Sequence, residues 1–273
     1  MSLRIYRCNH VVPERFDKGP IFRTLISGVP SSAEGVYDGD LDGVNISEKN
    51  IHSEMRHQFY VWKNLLANND YVGFEHYRRT FFLDPLPEHL VKEKFPRIYQ
   101  LRKIFTSEPS KHNVLVKADL FSEYLDMRES LSDEIHAAVE NWVRRHDVVV
   151  QRAHPEPLDV QWRSIFGMNK LWSYLLAAAK NTRFFASRGA SIETRMQGSY
   201  CNMYIMRSEL FDEYMEFWSE AMSYLEPKLE PLERLYGHFA ERLFNMYLYQ
   251  KQIETPLLAV HRLPFLICDQ QIA

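Results

Sequence analysis

The sequence is poor in cysteine. Cys8, Cys201 and Cys268 are odd in number and scattered over 273 residues, which fits neither a disulfide framework nor the paired spacing of a zinc site. The opening MSLRIYRCNHVVPERF has no apolar signal core, and the longest apolar stretch, around LWSYLLAAA, falls far short of the roughly 18 to 20 residues that span a bilayer. These absences predict a soluble, cytoplasmic protein. An excess of positive charge is also missing: 33 Lys and Arg against 36 Asp and Glu give a net charge of −3. Nucleic acid is therefore not expected as a partner, and any bound anion must meet a local cluster. There is no glycine-rich phosphate loop and no nucleophilic Ser or Cys motif, which leaves kinase and hydrolase chemistry without a basis. Internal repeats and low-complexity tracts are likewise absent.

What is present, 45% hydrophobic and 14% aromatic residues, suffices for a large core in one domain. LRIYRCNH alternates apolar and polar from Leu3 as an opening strand would, leaving Asn9 and His10 at its carboxyl end, where open α/β sheets bind ligands. The next forty residues, rich in Gly, Pro, Ser and Asp, read as loop. From Asn50 as N-cap, IHSEMRHQFYVWKNLLANN places Met55, Phe59, Trp62 and Leu66 at helical spacing, with Glu54 in the first turn. DYVGFEHYRR follows as a second strand, and strand, loop, helix, strand is the order of a parallel α/β sheet.

Residues 86 to 112 are basic and broken by Pro87, Pro96 and Pro109, which predicts short helices leaving the core. Beyond them LSDEIHAAVENWVRRH reads as helix, with DVVVQRA and CNMYIMR as buried strands. Ser208 should cap ELFDEYMEFWSEAMSYL, whose core face is Leu210, Tyr214, Phe217, Ala221 and Leu225. Pro231 suits the first turn of the helix LERLYGHFAERLFNMYLYQ. There Leu235, Phe239, Leu243 and Met246 face the core and His238, Glu241 and Asn245 form a separate polar face.

Two stretches carry chemistry. DGDLDG, Asp38 to Gly43, begins like a calcium loop, but Lys49 stands at the twelfth position where a bidentate Glu is needed, and its D-x-D is a weak three-letter match. HYRR, His76 to Arg79, closes the second strand with guanidinium forks suited to a diphosphate without a metal. The plain alternative is a strand leaving the core, with Arg78 and Arg79 solvated or paired to Glu75 or Asp84. The neighbouring segment NISEKN precedes a helix whose first amides attract the same anion.

GVNISEKNIHSEMRHQFYVWKN, DYVGFEHYRRTF, CNMYIMRSELFDEYMEFW and ERLFNMYLY, in this order, resemble a family of bacterial glycosyltransferases of capsular polysaccharide, exopolysaccharide and O-antigen synthesis. That family was long catalogued as a domain of unknown function. The resemblance covers about half the chain between Asn45 and Tyr249. It implies a GT-A-like α/β fold with a mostly parallel sheet, an NDP-sugar donor such as a UDP-hexose or UDP-galactofuranose, and a saccharide or lipid-linked saccharide acceptor. Residues 1–85 would form the nucleotide-binding half, 86–145 a helical excursion, and 146–273 the acceptor and sugar half of one domain.

In such a transfer the diphosphate must be neutralised and, in an inverting reaction, a carboxylate takes the acceptor proton. Arg78, Arg79, His76 and Lys49 are the candidates for diphosphate. Asn9, His10, Asn45, Ser47 and Asn50 are candidates for base and ribose, Tyr77 for stacking or core packing, and Asn202 for the transferred sugar. Glu241 is the expected base, with Arg242 orienting its surroundings or reaching phosphate and Glu75 and Asp38 as reserve carboxylates. No metal is expected, Mn or Mg being the alternative. The basic VKEKFPRIYQLRKIF is a candidate for peripheral contact with anionic lipid. The rival to an enzyme is a non-catalytic module that binds a sugar nucleotide or phosphate.

Overall fold

The computed structural model describes residues 2–269 apart from 18, 84–85, 130–132, 168, 189–191, 193–194 and 231–233. Pro231 and Asp84 lie outside the described residues. In chain order the strands are β1 (Leu3–Asn9), β2 (Phe22–Ile26), β3 (Asp38–Gly39), β4 (Tyr71–His76), β5 (Arg79–Phe81), β6 (Asn113–Val116), β7 (Val148–Gln151), β8 (Tyr204–Arg207), β9 (Val260–Leu263) and β10 (Phe265–Cys268). The helices are α1 (Met55–Asn64), α2 (Glu88–Lys94), α3 (Pro96–Ser107), α4 (Ala118–Glu129), α5 (Asp133–Val143), α6 (Leu158–Phe166), α7 (Asn169–Lys180), α8 (Arg183–Ala186), α9 (Ser208–Leu225) and α10 (Leu235–Glu254).

β1 is buried along nearly its whole length because both its edges are paired, parallel to β2 on one side and to β4 on the other. β3 extends this parallel part beyond β2. The segment that read as loop thus contains two strands, of five and two residues, too short to show a period of two among the surrounding turn residues. β4 is the axis of the sheet. Tyr71 to Phe74 pair antiparallel with β8, whereas His76, at its end, pairs with Arg79 of β5. The ten-stranded sheet therefore forks: one branch runs β5, β10, β6 and the other β8, β7, β9.

Two helix starts differ from expectation. α1 begins at Met55, after a tight turn over Asn50–His52, and the Asn50 side chain accepts from Arg56 Nη1 at 2.6 Å instead of capping the helix. Ser208 is the first residue of α9, and its hydroxyl donates to the Asn69 carbonyl at 2.6 Å. The predicted core face of α9 is buried throughout. It packs with α7 and α10 in the largest apolar cluster, while α2, α3 and α4 cover β6 and β10 with a second cluster. Val91, Ile98, Tyr99, Leu101 and Phe105 turn inward there, so the basic residues Lys92, Lys94 and Lys103 face outward. Among the described residues no helix is long and apolar enough to cross a membrane.

Candidate active site

Parallel strands β1 and β4 end side by side, bringing His10, just past Asn9, near His76; the two rings are 6.2 Å apart. Between their nitrogens sits Glu54, at the start of α1: its Oε1 is 2.6 Å from His76 Nε2 and 3.9 Å from His10 Nε2. Burial alone would raise the Glu54 pKa, but the hydrogen bond and charge of His76 outweigh it and hold the carboxyl well below its usual range. Burial is the largest influence on both histidines and lowers the pKa of each, while His76 Nε2 stands against Glu54 and His10 Nε2 lies beyond hydrogen-bonding distance of it.

The polar side of α1 builds the floor of this site. His57 Nε2 donates to the Asn9 carbonyl at 2.8 Å, and burial brings its pKa down to about 4. Gln58 Nε2 donates to the Asn202 carbonyl at 2.8 Å while its Oε1 accepts from the Tyr204 hydroxyl. Arg56 gathers the NIS-x-KN loop, donating to the Ser47 carbonyl and to Asn50 Oδ1, both at 2.6 Å, and to His10 Nδ1 at 3.2 Å.

Next to the histidines opens a cleft of about 80 Å³ lined by Ser53, Glu54, Arg79, Cys201, Asn202, Arg234, Gly237, His238 and Glu241. Ser53, Cys201, Asn202 and Arg234 are the four non-glycine residues with positive φ among the described residues, at 51°, 74°, 49° and 61°, and all four line this cleft. Left-handed backbone is unfavourable for side chains other than glycine and gathers at functional sites when surrounding contacts impose it. Here they do. Glu241 Oε1 accepts the Cys201 amide at 2.7 Å, Asn202 Nδ2 donates to the Gly237 carbonyl at 3.2 Å, and a Cβ on Gly237 would stand 2.9 Å from the Ser53 side chain.

Of the predicted residues, the structure brings together His10, His76, Tyr77, Arg79, Asn202 and Glu241. Tyr77 lies 4.3 Å from the His76 ring, centroid to centroid, and 5.9 Å from that of His10. Arg78 and Arg79 are half-buried and, among the described residues, neither forms an ion pair. Glu75 cannot serve them or act as base, because its side chain is 0% exposed and does not line the cleft, with Arg128 Nη1 2.9 Å from its Oε2 and the Phe81 amide and Thr80 hydroxyl donating to its Oε1. Glu241 lines the cleft, and its partners His238, Arg242 and the Cys201 amide overcome the effect of burial and lower its pKa.

The other predicted residues are engaged elsewhere. Lys49 Nζ is 3.0 Å from Glu226, which also holds His52 Nε2 at 3.0 Å. Asn45 Oδ1 accepts from the amide and hydroxyl of Ser47, and the Asn9 side chain donates to the Arg7 carbonyl at 2.8 Å. Arg242 is fully buried near the Trp162 and Tyr200 rings, bound to Glu241 and Gln161, and is not among the residues that line the cleft. The aspartates of DGDLDG staple their own loop: Asp38 pairs with Arg23 at 2.9 Å, Asp40 accepts from Ser27 and Gly28 at 2.7 Å, and Asp42 accepts from the Ser31 amide at 2.7 Å. Glu54, Arg56, His57, Gln58 and Arg234 line or support this cleft but were not marked as such by the sequence; for Glu54, Arg56 and His57 the signal was the density of polar groups in IHSEMRH.

His10, Glu54 and His76 lie close enough together to hold a metal ion. Their tautomers work against it. Arg56 can only donate, so His10 Nδ1 is an acceptor and its proton sits on Nε2; the Arg78 amide, 3.4 Å from His76 Nδ1, imposes the same choice there. Both Nε2 atoms that face Glu54 thus carry hydrogen, the reverse of a metal-bound imidazole, whose outer nitrogen donates to a carbonyl or carboxylate. A larger, more apolar cavity of about 370 Å³, among Phe82, Phe105, Trp142 and Leu263, has no carboxylate in its described lining. It offers no acid or base of that kind.

A family model described as a domain of unknown function (DUF4422) matches residues 4–252. No curated protein matches. Among solved structures, WbbM, described as a bifunctional glycosyltransferase in its apo form, superposes with a TM-score of 0.60 at 22% identity, over 99% of this chain and 46% of that one. The chain thus spans less than half the length of the solved chain it matches, and at that identity the likeness is one of fold. It agrees with the GT-A-like architecture expected from the motifs.

Proposed function

The chain belongs to the DUF4422 family of domains of unknown function, and from its site we propose that it is a glycosyltransferase moving a sugar from a nucleoside-diphosphate donor to a saccharide acceptor. The observation that carries this reading is the pair Arg78 and Arg79, without carboxylate partners among the described residues, at the carboxyl end of β4 beside a cleft that also presents Glu54 and Glu241. Cations so placed compensate the charge that grows on a departing diphosphate. Kinship of fold with a protein described as a bifunctional glycosyltransferase supports it.

In this reading Arg79 and Arg78 bind the diphosphate, and Asn202 reaches the sugar. Glu241, kept ionised by its neighbours, takes the proton of the attacking hydroxyl, with His238 Nδ1 3.4 Å from its Oε2 as the outlet. The His10, Glu54 and His76 cluster fixes the wall against which the donor lies, on the nucleotide side formed by residues 1–85. A UDP-hexose donor, galactofuranosyl transfer and a role in surface polysaccharide synthesis rest on the motif resemblance alone. The test is a thermal-shift screen against nucleoside-diphosphate sugars, followed by assay of nucleoside diphosphate released with a saccharide acceptor. A bound donor at about a hundred times its Kd stabilises by roughly 2.7 kcal/mol. Stabilisation without turnover for any acceptor would reduce the protein to a binding module, and no stabilisation by any donor would remove the reading.

A further inference from the structure

Arg234 is an exposed arginine in left-handed backbone, φ 61° and ψ 2°, immediately before α10. A solvated arginine has no need of that conformation. It lines the same cleft as Arg79, and its charge is among those that lower the His10 pKa, after burial, Arg56 and His76. Among the described residues it has no ion-pair partner. The helix it precedes is 20 residues long and carries no side-chain N-cap; Gly237, in its first turn, lines the cleft, pinned against Ser53. The first amides of a helix have no intrahelical acceptor, so they add donors on this side. Asn202, 5% exposed and also in the lining, has an Oδ1 that accepts from nothing among the described residues. Cations, the start of a helix and an orphan acceptor in one cleft match a ligand that bears both a polyanion and a hydroxyl or amide hydrogen.

We propose that Arg234 is a second phosphate-binding cation of the cleft, closing on the donor diphosphate from the α10 side while Arg79 holds it from the β4 side. The inference rests on the reading of the site as a donor site, and names the residue that the HYRR motif does not supply. Arg234 already lines the cleft, and a charge-assisted hydrogen bond follows when the anion arrives. Asn202 Oδ1 is left for a hydroxyl of the sugar.

Isothermal titration with inorganic pyrophosphate separates this proposal from the reading beneath it. Arg234→Gly removes the charge while suiting the positive φ, so the variant keeps its fold and is at least as stable as the wild type. Its affinity for pyrophosphate should fall on the order of tenfold or more, as expected for loss of a hydrogen bond to a charged group, and Arg234→Lys should recover part of it. Arg79→Ala should weaken binding comparably. Undiminished binding by Arg234→Gly, with loss in Arg79→Ala, would overturn the role of Arg234 and leave the donor site standing. Wild-type protein that does not bind pyrophosphate, or that binds it equally well without either arginine, would overturn both.

Discussion

Arg128 Nη1 lies 2.9 Å from Glu75 Oε2, with side-chain exposures of 4% and 0%, and this buried pair takes Glu75 away from Arg78 and Arg79, which form no ion pair among the described residues. Arg128 also stacks on Phe22, its guanidinium carbon 3.6 Å from the ring centroid. Removing it strands a charge in the core. Arg128→Met should destabilise the protein by about 3 to 5 kcal/mol in urea unfolding, and Glu75→Gln in the same chain should restore part of that loss. A loss under about 1 kcal/mol for the single variant would mean that Glu75 has found another partner, Arg78 being the nearest arginine in sequence.

Glu241→Gln and Glu54→Gln distinguish the two carboxylates of the cleft. Glu241→Gln should keep donor binding while turnover drops on the order of a hundredfold or more, as for the loss of a general base. It should also cost stability, because the new amide meets donors from Arg242 and His238. Glu54→Gln loosens the wall formed by His10 and His76, and should raise KM for the donor more than it lowers kcat. The reverse pattern, with the larger kcat loss at Glu54, would move the base to α1.

Stability should fall in mild acid. His57 is fully buried and its folded pKa is lowered to about 4 from 6.5, so between those values the unfolded chain binds the proton and the native chain resists it. The stability it confers is complete above pH 6.5 and is lost as pH falls toward 4, at up to about 1.4 kcal/mol per pH unit. His57→Gln keeps a donor for the Asn9 carbonyl and should flatten the slope of unfolding free energy between pH 6.5 and 4. A slope unchanged in that variant would assign the effect to other buried histidines such as His52, also lowered to about 4 by burial.

Chelation should leave activity intact, because both Nε2 atoms facing Glu54 carry protons and the aspartates of DGDLDG are engaged by Arg23, Ser27, Gly28 and Ser31. Extensive dialysis against EDTA, with and without added manganese, is the measurement. Loss in EDTA and recovery with manganese would mean that Arg56 releases His10 when the donor binds.

The apolar half of the molecule was legible because periodicity and burial coincide there: the face Leu210, Tyr214, Phe217, Ala221 and Leu225 is buried as its spacing demands. α1 shows the limit. Its stripe of Met55, Phe59 and Trp62 was readable, yet Phe59 and Trp62 are only half-buried while Arg56, His57 and Gln58 are enclosed. Spacing does not separate a polar side chain facing a site from one facing water. Long-range partners were equally hidden, since Lys49 meets a glutamate 177 positions away and Arg242 a glutamine 81 positions away. The HYRR cluster was readable because adjacent cations at a strand end announce themselves without any distant partner.

The divided sheet closes on itself behind the cleft. Arg79 belongs to the branch that starts at β5, Asn202 precedes the branch that starts at β8, and both branches join β4, at residues 76 and 71–74. Their outer parts meet again where β9 passes into β10 through Pro264 alone. A substitution far out at β9 or β10 would therefore be felt on both walls at once, without altering any residue that lines the cleft.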